Sequence, residues 1–202
     1  MATNGTKDDT TAPTFASIGI KNTLIHSAPG VHLSPHQKVL VGSVLDLFEA
    51  SPTLRHLSLW SDDATFADPL TEARGRARYA AQWYGLAALF GPAAVQRHQV
   101  VSAAGDGDGD GDLIEVAVSN RYVVRGLRTA HLIDSLVRIH VDADGKIARV
   151  EDRWDDEDLP DGSVKEAFRK LNAATVPMVV KVPKDEEEDM KMKAEREARL
   201  SS

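Results

Sequence analysis

Between Ser34 and Phe90 apolar side chains recur three and four residues apart, and from Val95 they recur at every second residue, so helices come first and strands follow. Ser34-Pro35-His36-Gln37 combines an N-cap serine, a proline at the first helical position and a glutamine three residues after the cap. A helix starts there, with Leu40, Val44, Leu47 and Phe48 on one face. Ser51-Pro52 opens a second helix carrying Leu54, Leu57 and Trp60, and a short strand with Thr65 and Phe66 leads into Asp68-Pro69. The proline pushes Asp68 out of helical geometry and holds it in place. Tyr79, Trp83, Leu86 and Phe90 share one face of a third helix, a stripe that reads first as core, and Gly91-Pro92 ends it.

Four strands are expected at roughly 95–103, 113–125, 129–141 and 146–155, with connections short enough for an antiparallel sheet. Alternate side chains on a strand face opposite ways, so parity separates inside from outside. Ile114, Val116, Val118, Asn120, Tyr122 and Val124 form the inner face of the second strand. His131, Ile133, Ser135, Val137, Ile139 and Val141 form that of the third, and Ala148, Val150, Asp152 and Trp154 that of the fourth. Each inner face is apolar with one or two polar intruders, the usual make-up of a small-molecule site.

The flanks carry no such periodicity. Residues 1–33 mix Thr, Ser, Gly, Asp and Pro with scattered apolar positions and read as a flexible arm, and residues 184–202 read as a charged, exposed tail. The domain proper is expected over 34–175, with Val164, Phe168 and Leu171 on a last short helix. A formal net charge of −7 argues against nucleic acid or an anionic membrane as partner. The absence of cysteine excludes disulfides and thiolate chemistry. No apolar run approaches the ~20 residues of a membrane span and the first residues lack the pattern of a leader, so a cytoplasmic protein is expected. The Gly-Asp repeat from Gly105 to Asp112 has the alternate acids of a calcium loop, but position twelve, counted from Asp106, is Ala117, so it reads as a hairpin loop and no metal is expected.

The run Leu59-Trp60-Ser61-Asp62-Asp63-Ala64-Thr65-Phe66-Ala67-Asp68-Pro69-Leu70 with Arg74-Gly75, and the hairpin from Val141 to Ile147, resemble the SnoaL-like and ketosteroid isomerase branch of the NTF2-like superfamily. The resemblance spans roughly residues 36–156. It implies an α+β fold, a cone-shaped curved antiparallel sheet wrapped around N-terminal helices, with a deep apolar pocket and no cofactor. It also implies that Asp68 is a proton-shuttling base. The positions matching the steroid isomerase oxyanion hole are Val44 and Val137, so that activity is not expected.

The expected catalytic set is therefore Asp68, His131 and Asp152, with Asn120, Tyr122, Trp83, Trp154 and Phe66 binding the substrate. Two carboxylates near one apolar cavity are pushed apart in pKa by desolvation and repulsion, which supplies an acid and a base at neutral pH. The bland readings stand beside these: Asp68 capping a turn, Asp152 paired with an arginine, His131 on the rim. The expected function is acid/base chemistry of the isomerase, cyclase or dehydratase kind on a hydrophobic cyclic molecule. The alternative is a non-catalytic ligand-binding or protein-association module. Leu132 and Leu136 on the outer face of the third strand suggest a homodimer.

Overall fold

Ser34 caps the first long helix as the sequence requires: its hydroxyl accepts from Gln37 N at 3.1 Å, and its own N–H donates to Gln37 Oε1 at 2.8 Å. The computed structural model describes residues 12–104, 111–125, 130–154 and 180–200. In chain order these form α1 (Phe15–Ile18), α2 (Pro35–Phe48), α3 (Leu54–Leu57), β1 (Trp60–Asp68), β2 (Thr71–Arg74) and α4 (Arg76–Leu89). Then come β3 (Phe90–Ala104), β4 (Asp112–Val124), β5 (Ala130–Val141), β6 (Ile147–Trp154) and α5 (Glu186–Leu200). The expected helix around Val164 and most of the Gly-Asp loop lie outside the described residues.

The strands make one six-stranded sheet in the order β2-β1-β6-β5-β4-β3. Neighbours are antiparallel except β1 and β6, which run parallel. That parallel pair brings a segment from before α4 alongside the last strand, and it is what completes the site. α3 is a single turn capped by Thr53, because Trp60, expected at its end, pairs with Ile147 as the first residue of β1. β2 was hidden by its length, since Ala73 is its one buried residue.

Strand parity is as expected. Ile114, Val116, Val118, Asn120, Tyr122 and Val124 are all buried, as are Ile133, Val137 and Ile139 on β5 and Val150, Asp152 and Trp154 on β6. They pack against Leu40, Val44, Leu47 and Phe48 of α2 and Tyr79, Trp83 and Leu86 of α4 in one continuous core. The walls are aromatic: Trp60 stacks on Tyr79 at 5.0 Å, and Trp83 lies 4.6 Å from Phe66 and 5.5 Å from Phe48.

Both flanks pack where they are described, over 12–33 and 184–200, which there corrects the reading of a flexible arm over 1–33 and of a free tail over 184–202. Ile18 and Ile20 are in the core, and the backbone beyond them bridges to β3 between Ser27 and Val100. The anchor is Asp46 on α2, 1% exposed. Its carboxylate accepts from Lys21 N at 2.8 Å, Asn22 N at 3.0 Å and Asn22 Nδ2 at 2.8 Å, and His56 Nε2 lies 3.1 Å away. Gly42 makes room for this: a Cβ there would meet Asn22 O at 2.5 Å. On the other flank, α5 buries Asp189, which accepts from the Tyr84 hydroxyl and from Leu54 N, each at 2.7 Å. Arg196 sits 5.7 Å over the Tyr84 ring and donates to Pro52 O at 2.7 Å. Periodicity did not reveal either contact because the anchoring groups are polar and the apolar residues that dock with them, such as Ile18, Ile20 and Met192, are too scattered to form a stripe. No described helix is long and apolar enough to cross a membrane.

Candidate functional site

The parallel register of β1 on β6 pairs Phe66 with Val150 and Ala67 with Glu151. One step further brings Asp68 beside Asp152, both on the face that buries Phe66 and Val150. Asp68 ends β1 at the turn into β2, where Leu70 N donates to its Oδ1 at 2.7 Å. The carboxyl that caps this turn also lines the cavity, so the cap fixes it on the cavity's rim.

Burial pushes the Asp68 carboxyl up to about 7 against the hydrogen bond from Leu70, the Asp152 charge adds to the rise, and hydrogen bonds from Thr71 oppose it. Burial pushes Asp152 up to about 6, against hydrogen bonds from Ser135 and Trp154 that favour the charged form. Trp154 Nε1 makes the stronger case geometrically, donating to Asp152 Oδ2 at 2.7 Å. Among the described residues no arginine compensates Asp152: Arg149, Arg138 and Arg153 all bind Glu151, whose side chain faces the other side of the sheet. Burial, together with the charges of Asp152 and Asp68, raises the Tyr122 phenol well above its ordinary value against hydrogen bonding from Asn120, so it stays protonated.

These groups meet at a small cavity between α4 and the sheet. Phe48, Phe66, Trp83, Leu86 and Tyr122 supply its apolar wall, and Asp68, Asp152 and Gln82 its polar groups. Its volume is about 10 Å³, room for about one water molecule. Of the expected set, Asp68, Asp152, Tyr122, Trp83 and Phe66 are brought together. Three others stand outside this lining. Asn120 is buried, but its Nδ2 donates to Phe48 O at 2.9 Å and ties α2 to the sheet. Trp154 orients Asp152 from behind. His131 is half-buried at the β4–β5 edge of the inner face, where it pairs in register with Tyr122.

Gln82 was missed by the sequence reading. It lies three residues after Tyr79 and four before Leu86, on the same helical face, so periodicity was the signal that would have placed it inward, as a polar member of an aromatic stripe. The valines at the steroid isomerase oxyanion positions, Val44 and Val137, are both buried and offer no donor. Among the described residues no group of three or more His, Asp or Glu has the arrangement of a metal site.

Comparison with known proteins bears on the family and the fold. A model of the SnoaL-like domain matches residues 43–150, from the second half of α2 to Val150 in β6. No functionally curated protein matches. Among solved structures, a protein of unknown function from Mycobacterium tuberculosis is 15% identical, covering 74% of this chain and 92% of that one, with a TM-score of 0.53. A provisionally named aromatic ring hydroxylase from Novosphingobium aromaticivorans is 20% identical, covering 63% and 91%, with a TM-score of 0.50. A provisionally named polyketide cyclase from Pseudomonas putida is 21% identical, covering 63% and 96%, with a TM-score of 0.46. At such identities the likeness is one of fold. The chain belongs to the SnoaL-like domain family, with the NTF2-like α+β fold that its sequence resembles.

Proposed function

We propose that this SnoaL-like domain binds a hydrophobic, cyclic small molecule between α4 and the sheet and moves a proton on it without a cofactor, as an isomerase, cyclase or dehydratase does. The observation that carries the reading is the Asp68–Asp152 pair, set side by side in an apolar cavity with both carboxyls raised into the neutral range. A base works best with a pKa near the operating pH, because it is then largely unprotonated yet still basic. Asp68 takes the proton from a carbon next to a carbonyl. The bonding electrons move toward the carbonyl oxygen, which accepts a hydrogen bond from the Tyr122 phenol, since Asp152, whose carboxyl titrates below that of Asp68, is ionised whenever Asp68 is. The proton then returns to carbon, or to the oxygen that leaves as water. His131, at the rim, is the alternative acid partner. The protein is read as a homodimer formed through the outer face of β5, where Leu132 is 55% exposed.

The test uses 2-tetralone in D₂O, whose α-protons exchange measurably by NMR. The parent is expected to accelerate exchange over buffer, and Asp68→Asn to return it to background while keeping binding within about tenfold, since Asn still fills the site. Equal exchange by parent and variant would remove Asp68 as the base.

One observation favours a second reading, a non-catalytic binding or association module: the cavity holds only about 10 Å³. Native mass spectrometry separates the two, since a stoichiometric small molecule carried through purification supports a pocket function and a captured protein partner with an empty cavity supports the module.

A further inference from the structure

The segment after α1 is fastened at two separate places. Lys21 and Asn22 are tied to the buried Asp46, and the residues beyond them are tied to β3, the edge strand of the sheet. At the second fastening Val100 N donates to His26 O and Ala28 N donates to Val100 O, each at 2.8 Å. Ser27 and Val100 form an isolated bridge, so this pairing lacks the flanking bonds of a ladder. His98, two residues before Val100 and on the same face of β3, reinforces it. Its Nε2 accepts from His26 N at 3.2 Å, its ring is also hydrogen-bonded to the backbone of Leu24, and the His26 ring lies 5.2 Å away.

A backbone N–H only donates, so the ring nitrogen that meets it must carry a lone pair. His98 therefore fastens the segment as the neutral imidazole alone. A proton on Nε2 replaces the acceptor with a second donor, and a positive charge then stands beside the other imidazole. Half-burial and the charge of His26 hold His98 below its ordinary value of 6.5, against the bond with Leu24, which favours the charged ring. The other elements around it supply no compensating charge among the described residues. β4 presents Val118 opposite His98, with Val116 and Asn120 on the same face. Glu49, the carboxylate that reaches β3 from the end of α2, is taken by Val95 N and Asn22 Nδ2 at 3.0 Å each.

We propose that His26 and His98 form an acid-sensitive clasp, whose protonation frees residues 23–30 from β3 and uncovers the sheet edge at Val100 while Lys21 and Asn22 stay bound to Asp46. Val100 is fully buried and Ile25 packs on the core, so release exposes apolar surface. Because the docked segment favours the neutral ring, docking is tightest above 6.5 and weakens as pH falls below it. The carboxyl pair of the candidate site acts in the opposite direction, and the clasp does not depend on that site's reading.

Amide hydrogen exchange of the full chain, followed by NMR between about pH 7.5 and about pH 5 and corrected for the intrinsic pH dependence of exchange, tests the clasp. The amides of Ala28 and Val100 are expected to lose at least about threefold of their protection toward the acid end, and those of Lys21 and Asn22 to lose none. His98→Gln, whose Oε1 accepts from His26 N without taking up a proton, is expected to keep Ala28 and Val100 protected evenly across the range. Protection at Ala28 and Val100 that is level with pH in the parent, a loss shared equally by Lys21 and Asn22, or a pH dependence that survives His98→Gln would overturn the proposal. The parent also provides a check that needs no variant. Its His98 ring is expected to titrate below 6.5, together with the loss of protection, and a midpoint at or above 6.5 would overturn the proposal as well.

Discussion

Asp68 and Asp152 stand on neighbouring parallel strands, one register step beyond the Ala67–Glu151 pair, and each has its carboxyl pushed upward by burial. The sequence separates them by more than eighty positions, and a crossover through α4, β3, β4 and β5 brings them back together. Since both are acids with folded-state values above the unfolded one, the folded state binds more protons than the unfolded state between those values. Their contribution to stability is present in full below about 4 and is lost as pH rises through about 6 and about 7. Stability to urea is therefore expected to fall between pH 4 and pH 7, and Asp68→Asn to flatten that slope. A slope of the opposite sign in this window, or one the variant leaves unchanged, would show that the pair is not held in a desolvated site.

Asp46 has the opposite sign. Although burial alone would raise it, hydrogen bonding from His56, Lys21 and Asn22 prevails and lowers its carboxyl below the usual value, so its contribution is kept above about 3.8 and lost only as pH falls further. The two effects occupy separate windows. Asp46→Ala leaves two part-buried backbone N–H groups without their acceptor and is expected to cost about 2 kcal/mol. Limited proteolysis within residues 14–33 should accelerate in the same variant. An unchanged cleavage pattern would show that Asp46 is not what holds this segment.

The C-terminal helix provides a third outcome. Asp189 is 5% exposed and accepts from both Tyr84 and Leu54, so Asp189→Ala is expected to destabilise by roughly 2–3 kcal/mol. A double-mutant cycle with Tyr84→Phe should show coupling, because the two side chains share one hydrogen bond. Chemical denaturation of the four chains measures it, and additive losses would mean that α5 does not dock through this contact.

Inward positions, the start of α2 and the Asp-Pro corner were legible in the sequence because each rests on a local rule: parity for Tyr122 and Asp152, the capping box for Ser34, proline geometry for Asp68. What escaped the sequence reading rests on pairing at long range. The parallel register that sets Asp68 beside Asp152 has no local signature, and the polar docking of Asp46 on the N-terminal segment and of Asp189 on Tyr84 runs against the rule that apolar faces are what dock. Asn120 shows a third limit. Its inward position was legible, but not that Phe48 O would claim its amide.

A homodimer through the outer face of β5 is expected to sediment as one species of twice the chain mass at micromolar concentration. Leu132→Lys should shift it to monomer, since like charges would meet across a two-fold interface. Monomer in the parent would contradict this.

The most direct test of the acid/base site is a ¹³C NMR titration of the aspartate side-chain carboxyls, with Asp68→Asn and Asp152→Asn providing the assignments. Titration midpoints near 7 for Asp68 and near 6 for Asp152, well above the 3.8 of an ordinary aspartate, are the expected result. Midpoints at or below 3.8 for both would contradict the account and leave Asp68 as a turn cap alone.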